Sequence, residues 1–141
     1  MSPWRHLEHR ADIGVEGRGP TLAQAFEQAA LALTAVVTDP AGVRPLIAER
    51  LSLRADSADL LFVDFLDALV YRMAVQGLLF GRFEVALGAD AEGVTLEATL
   101  WGEPVDVGRH APAVEVKGVT FSGLYVGPDD GAFVARTVVD V

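Results

Sequence analysis

Arg82-Phe83-Glu84-Val85-Ala86-Leu87, then Gly88-Ala89-Asp90-Ala91-Glu92-Gly93, then Val94-Thr95-Leu96-Glu97-Ala98-Thr99-Leu100-Trp101, is two alternating runs on either side of a Gly/Asp-rich break. Phe83, Val85 and Leu87 share one parity, and Val94, Leu96, Ala98 and Leu100 share another. Period-two alternation is the mark of strands with one face buried, and a break of about five residues joins them as an antiparallel hairpin. Leu51 and Leu53 alternate with Arg50, Ser52 and Arg54 in the same manner. Two more strands are expected near 114–126 and 132–141, joined by the tight turn Gly127-Pro128-Asp129-Asp130-Gly131.

Two segments have helical spacing instead. Thr21 and Gln24 stand as a capping box after Pro20, and Leu22, Phe26, Ala29, Leu33 and Val37 form one stripe that Asp39-Pro40 ends. A second helix starts near Ser57, carries Leu61, Phe65, Ala68, Tyr71 and Met73, and stops at Gly77. Phe62, Leu66 and Leu69 broaden its apolar surface, so it is expected to be largely buried between a sheet and a neighbouring element. The order strand, helix, strand, helix and then antiparallel strands reads as α+β, with a mixed, largely antiparallel sheet and two helices packed on one face.

The chain has 141 residues, enough for one core, and no repeat, linker or low-complexity segment divides it, so a single domain over 1–141 is expected. It is 51% apolar and 22% charged, a globular profile. Cysteine is absent, which removes disulfides, thiolate metal sites and thiol chemistry together. The opening Met1-Ser2-Pro3-Trp4-Arg5-His6 has no apolar core of a signal peptide, and Asp64, Asp67 and Arg72 interrupt the longest apolar run. The expectation is a cytoplasmic protein with no membrane span. Twenty acidic residues against eleven basic ones give −9, which disfavours direct nucleic-acid binding through phosphate neutralisation. The same charge favours cations or a basic partner surface. Lys117 is the one lysine.

No Gly-x-Ser-x-Gly, His-Glu-x-x-His, P-loop or Gly-x-Gly-x-x-Gly motif is present, and His6, His9 and His110 have no neighbouring serine nucleophile. The ordinary role for a loop histidine is a cap or a surface hydrogen bond. Carboxylates are the better signal. Asp12 interrupts the entry to the first strand, and Asp140 takes an apolar parity after Val134, Arg136 and Val138, one residue before the α-carboxylate of Val141. Asp suits strand interiors poorly, so its ordinary reading is a solvated chain end. If the first and last strands are neighbours, the two side chains and a main-chain or terminal oxygen would form an oxygen-only site suited to Ca²⁺ or Mg²⁺. Asp106, Arg109, His110, Glu115 and Lys117 crowd a loop before an apolar strand, either a solvated charged face or a binding loop. On an extended segment Glu115 and Lys117 share a face, opposite Val116. That places Lys117, with Arg109 and His110 just before it, on a candidate partner surface.

Taken in order, these segments resemble the archease family. The pieces that carry the resemblance are His9-Arg10-Ala11-Asp12-Ile13-Gly14, Thr21-Leu22 with Phe26-Glu27-Gln28-Ala29-Ala30-Leu31, and Leu60-Leu61-Phe62-Val63-Asp64-Phe65-Leu66. Gly102-Glu103-Pro104, Arg109-His110, Glu115-Val116-Lys117-Gly118-Val119-Thr120 and Val139-Asp140-Val141 complete them. Each is short; their order and spacing across the chain are specific. Phe121-Ser122 departs from the family's aromatic followed by His. The resemblance implies an accessory protein, itself no enzyme, for the GTP-dependent RNA ligase that joins 2′,3′-cyclic-phosphate or 3′-phosphate ends to 5′-hydroxyl ends in tRNA splicing and RNA repair. It implies promotion of ligase guanylylation and turnover, and a metal site at Asp12, Asp140 and the main-chain oxygens of Val141, Ca²⁺ first and Mg²⁺ second. The contrasting reading is a stand-alone metal-dependent phosphohydrolase or nuclease, which needs a denser carboxylate set than Asp12 and Asp140 supply.

Overall fold

The computed structural model describes residues 3–8 and 11–141, with Glu8 in its main chain only. His9 and Arg10, part of the first motif above, lie outside the described residues. The elements run β1 (Trp4–Glu8), β2 (Asp12–Gly19), α1 (Leu22–Val37), β3 (Ile47–Ala55), α2 (Ala58–Gln76), β4 (Leu78–Asp90), β5 (Gly93–Pro104), the single turn α3 (Val107–His110), β6 (Gly118–Val119), β7 (Tyr125–Asp129) and β8 (Ala132–Asp140).

Local chemistry sets the helix limits. Thr21 Oγ1 accepts from the Gln24 amide to open α1, and Ser57 accepts from Leu60 N–H to open α2. Each bond satisfies one of the amides a helix start leaves without a partner. Gly77 closes α2 at φ 63°, a left-handed conformation that costs glycine little. Both expected helices form as read.

The strands are all antiparallel and fall into two sheets where the alternation suggested one mixed sheet. One sheet runs β1-β2-β8-β6, with β7 pairing β8 beyond β6; the other runs β3-β5-β4. Alternation shows which side of a strand is buried, and the identity of its neighbour is settled by packing. The β4–β5 hairpin is longer than expected: pairing continues to Asp90↔Gly93 and leaves Ala91-Glu92 as the loop. At the next hairpin Asp130 and Gly131 both have positive φ, 49° and 78°, between the paired Asp129 and Ala132. That is the Asp-Gly chemistry of a type I′ turn. The expected strand over 114–126 is broken into β6 and β7. The Val138 carbonyl accepts both the Thr120 N–H at 2.9 Å and Thr120 Oγ1 at 2.8 Å, and Thr137 Oγ1 donates to the Thr120 carbonyl at 2.6 Å, so side-chain hydroxyls supplement the ladder between the two pieces.

The helices lie against the inner faces of both sheets. α1 packs on β2 and β8 on one side and on β4 on the other; α2 touches β3, β4 and β5 as well as β6 and β7, which accounts for its broad apolar surface. Phe26 of α1 meets Phe62 and Phe65 of α2 at ring-centroid distances of 5.1 and 6.0 Å, and all three are fully buried. Each such side chain contributes about 1.5–3 kcal/mol through burial. Gly17 makes the α1–β2 approach sterically feasible: a Cβ there would stand 2.1 Å from the Ala25 oxygen and the Ala29 nitrogen. α1 also secures the exposed edge of β4. Thr34 Oγ1 donates to the Phe80 carbonyl at 2.7 Å, and the Val85 N–H donates to Glu27 Oε2 at 2.8 Å. A sheet edge with its main-chain groups occupied is a poor template for foreign strands.

Candidate functional site

β2 and β8 place Asp12 directly opposite Asp140, with Ile13↔Val139 and Gly14↔Val138 following in register. The Val141 N–H donates to the Ala11 carbonyl at 3.3 Å, the bond that flanks a non-hydrogen-bonded pair. In such pairs the Cα atoms are about 4.5 Å apart and the side chains stand closest. Asp12 and Asp140 are therefore immediate neighbours on one face of the sheet, both half-buried. The same bond holds the main chain of Val141 beside Ala11, one residue from the carboxylate pair. On the far side of β8, Gly118 pairs with Asp140 and the Lys117 N–H donates to the Asp140 carbonyl at 2.7 Å.

Four residues along β2 and on the same face, Glu16 shows a contrasting treatment of an acid. It is 3% exposed, Arg5 Nε reaches its Oε2 at 2.5 Å, and Arg136 Nη1 stands 3.6 Å from its Oε1. Arg136 also lies 5.3 Å over the ring of Tyr125, which fixes its position. Asp12 and Asp140, by contrast, enter no ion pair among the described residues. Like charges directly opposite on antiparallel strands are destabilising. A paired, uncompensated oxygen set of this kind fits a hard cation. Among the described residues no three His, Cys, Asp or Glu side chains gather to hold a metal.

The loop after β5 is organised around a buried acid. Glu103 is 3% exposed; the Arg44 N–H donates to its Oε2 at 2.6 Å, and the Arg109 guanidinium donates to its Oε1. His110 Nδ1 accepts from the Asp106 N–H at 2.8 Å, which assigns the ring proton to Nε2, facing Glu103 Oε2 at 3.1 Å. The Arg44 amide, with His110 and Arg109 behind it, holds the Glu103 carboxyl at about 2, well below its ordinary 4.5. Arg109 Nη1 also donates to the Gly42 carbonyl at 2.9 Å, and Thr38 Oγ1 donates to the His110 carbonyl at 2.6 Å. Of the residues assigned to a partner surface, His110 is thus turned inward with both ring nitrogens engaged. Arg109 is partly exposed and already bound to Glu103. Lys117 is exposed, as is Glu115, while Val116 between them is buried. Lys117 forms no ion pair with Glu115 among the described residues. His6 reaches the Ala32 carbonyl at 2.9 Å, an interior tie between β1 and α1. Ser122 is exposed and its N–H donates to Thr120 Oγ1 at 3.2 Å, so it shapes the turn.

The sequence reading gave Glu16 and Glu103 no role. A visible signal existed for Glu103, an acid closing a long alternating strand just before Pro104. Its partners lie in two separate segments, Arg44 and Arg109-His110, that only folding assembles around it.

Two antiparallel sheets enclosing two helices, with a carboxylate pair joining the first and last long strands of one sheet, define a small α+β protein with two acids apposed at a strand pair. A model of the Archease protein family (MTH1598/TM1083) matches residues 4–141. The chain is similar to protein archease of Thermococcus gammatolerans, 35% identical with all of both chains covered, and to that of Methanopyrus kandleri, 36% identical over 99% of each. The fold matches the solution structure of Methanobacterium thermoautotrophicum protein 1598 with a TM-score of 0.88, 30% identity and full coverage of both chains. It also matches the crystal structure of an archease from Thermotoga maritima, described as a possible chaperone, with a TM-score of 0.64 at 18% identity over 96% of this chain and 94% of that one. The chain belongs to the archease family.

Proposed function

We propose that the chain is an accessory protein of a GTP-dependent RNA ligase, the enzyme that joins 2′,3′-cyclic-phosphate or 3′-phosphate ends to 5′-hydroxyl ends. In this reading it promotes guanylylation and repeated turnover of the ligase and performs no catalysis alone. Asp12, Asp140 and the main-chain oxygens of Val141 hold one divalent cation, Ca²⁺ in preference to Mg²⁺. The single observation that carries the metal assignment is the apposition of Asp12 and Asp140 as a close pair that enters no ion pair among the described residues, on the same face as a Glu16 that two arginines reach. Family membership supports the accessory role. Bound there, the cation would relieve the carboxylate repulsion and offer its open coordination positions to phosphate oxygens. Lys117, exposed and tied by its main chain to Asp140, supplies a compact cation beside that position. The chain's −9 charge suits approach to the basic RNA-binding face of a ligase.

The test incubates RNA carrying 2′,3′-cyclic-phosphate and 5′-hydroxyl ends with GTP, using the protein alone, a cognate ligase alone, and both. The expected result is no reaction from the protein alone, and more ligase guanylylation and more turnovers per ligase when both are present. Asp12→Ala and Asp140→Ala should abolish the stimulation and leave the fold intact. GTP or RNA hydrolysis by the protein alone that vanishes with Asp12→Ala would instead establish the phosphohydrolase reading.

A further inference from the structure

The outer face of α2 is neither buried nor ordinary. Leu60, Asp64, Asp67, Tyr71 and Val75 recur at helical spacing and are all exposed, Tyr71 by 54% and Val75 by 65%. Asp64 and Asp67 stand three residues apart at the middle of this stripe, where like charges destabilise a helix. Neither enters an ion pair among the described residues. Partial burial, then the Asp64 charge, pushes the Asp67 carboxyl above its ordinary value. Beside the C-terminal end of the stripe lies a groove of about 190 Å³, lined by Met73, Ala74, Gly77, Val105, Val114 and Val116 among others. Ala74 belongs to both the groove and the exposed side of the helix, so the two are continuous.

We propose that the outer stripe of α2 and the adjoining groove dock a helical segment of a partner protein that offers an apolar anchor flanked by arginine or lysine. The groove and the exposed Tyr71 and Val75 would take the anchor, and Asp64 and Asp67 would take the flanking cations. Charge decides between occupants. A second copy crossing this helix about a twofold axis would set Asp64 and Asp67 against their own duplicates, and a nucleic acid would meet the same acids with phosphate. A basic amphipathic helix meets both requirements of the surface. The proposal relies on the accessory reading only in naming the ligase as a candidate bearer of that segment; its surface lies on α2, distinct from the β2–β8 cation site.

The experiment titrates ¹⁵N-labelled protein with a synthetic helical peptide that has Leu and Trp on one face and several flanking Arg, and with its counterpart in which Glu replaces each Arg. Expected are amide shift changes confined to 60–75, Val105 and Val114 with the Arg peptide, and none with the Glu peptide. The double variant Asp64→Asn, Asp67→Asn should bind the Arg peptide about tenfold more weakly while melting no lower than the parent. Equal binding of both peptides, equal binding by the double variant, or shifts centred elsewhere would overturn the docking surface. With a cognate ligase, the same variant should need a higher concentration for half-maximal stimulation and reach the same maximum. A parent chain that stimulates no ligase sinks the accessory reading, whereas the peptide outcomes alone judge the surface.

Discussion

If the proposed cation site is real, Asp12 and Asp140 should pull stability in opposite directions depending on whether a cation is present, which separates a metal site from a chance pairing of acids. Without a divalent ion, Asp12→Asn removes a like-charge contact and should raise stability by about 0.2–1 kcal/mol. With Ca²⁺ at a hundred times its dissociation constant the parent should gain about 2.7 kcal/mol, and the variant should lose that gain. Thermal melts in chelator and in Ca²⁺ measure both signs; an unchanged Ca²⁺ response in the variant would remove Asp12 from the site. Lys117 gives a second residue-level test. An exposed lysine that enters no ion pair among the described residues contributes little to folding, so Lys117→Ala should leave the melting temperature unmoved. Ligase stimulation should fall about tenfold, near 1.4 kcal/mol of lost transition-state stabilisation. Lys117→Arg keeps the charge and loses the compact ammonium, so a partial loss there assigns the effect to geometry. The residue types at both positions were readable in the chain; that Arg5 and Arg136 reach Glu16, while Asp12 and Asp140 enter no ion pair among the described residues, came only with strand register.

At the scale of the elements, α1 depends on one glycine and the loop after β5 on one acid. Gly17→Ala would drive a methyl into the α1 backbone, which cannot yield as a flexible side chain does. The expected cost is over about 3 kcal/mol, in the range of severe overpacking, seen as a large drop in the denaturation midpoint. An Ala variant as stable as the parent would mean that α1 and β2 separate at little cost. The Glu103 carboxyl is depressed from 4.5 to about 2, so its contribution is complete above pH 4.5 and is lost as pH falls toward 2. Acid titration of the parent should therefore show destabilisation through that window, and Glu103→Gln should be less stable at neutral pH and flatten the dependence. An unaltered acid limb would rule out Glu103 as its source. The helix starts were legible because Thr21 with Gln24 and Ser57 with Leu60 act within one turn. The loop was not, because Arg44 reaches Glu103 from a segment 59 residues away.

Across the whole molecule, the excess of acid is the property a partner meets first. If docking to the ligase is steered by the −9 charge, raising ionic strength should lower the association rate and leave the maximal stimulation almost unchanged. Stopped-flow association at several salt concentrations checks this, and a salt-independent rate would refute charge steering. No helix among the described residues is long and apolar enough to cross a membrane, which agrees with the charges that interrupt α2.

The sequence by itself determined the α+β class, both helices with their caps, the strand parities and the two aspartates as residues out of place in strands. Those properties depend on contacts within a few residues, where spacing and residue chemistry are enough. Only the tertiary structure decided that the strands divide between two antiparallel sheets, that Asp12 and Asp140 form a close non-hydrogen-bonded pair, and that His110 faces inward to Glu103. Each of these joins distant segments, and such pairings are chosen by how the buried faces of Phe26, Phe62, Phe65 and the β-strand cores fit one another.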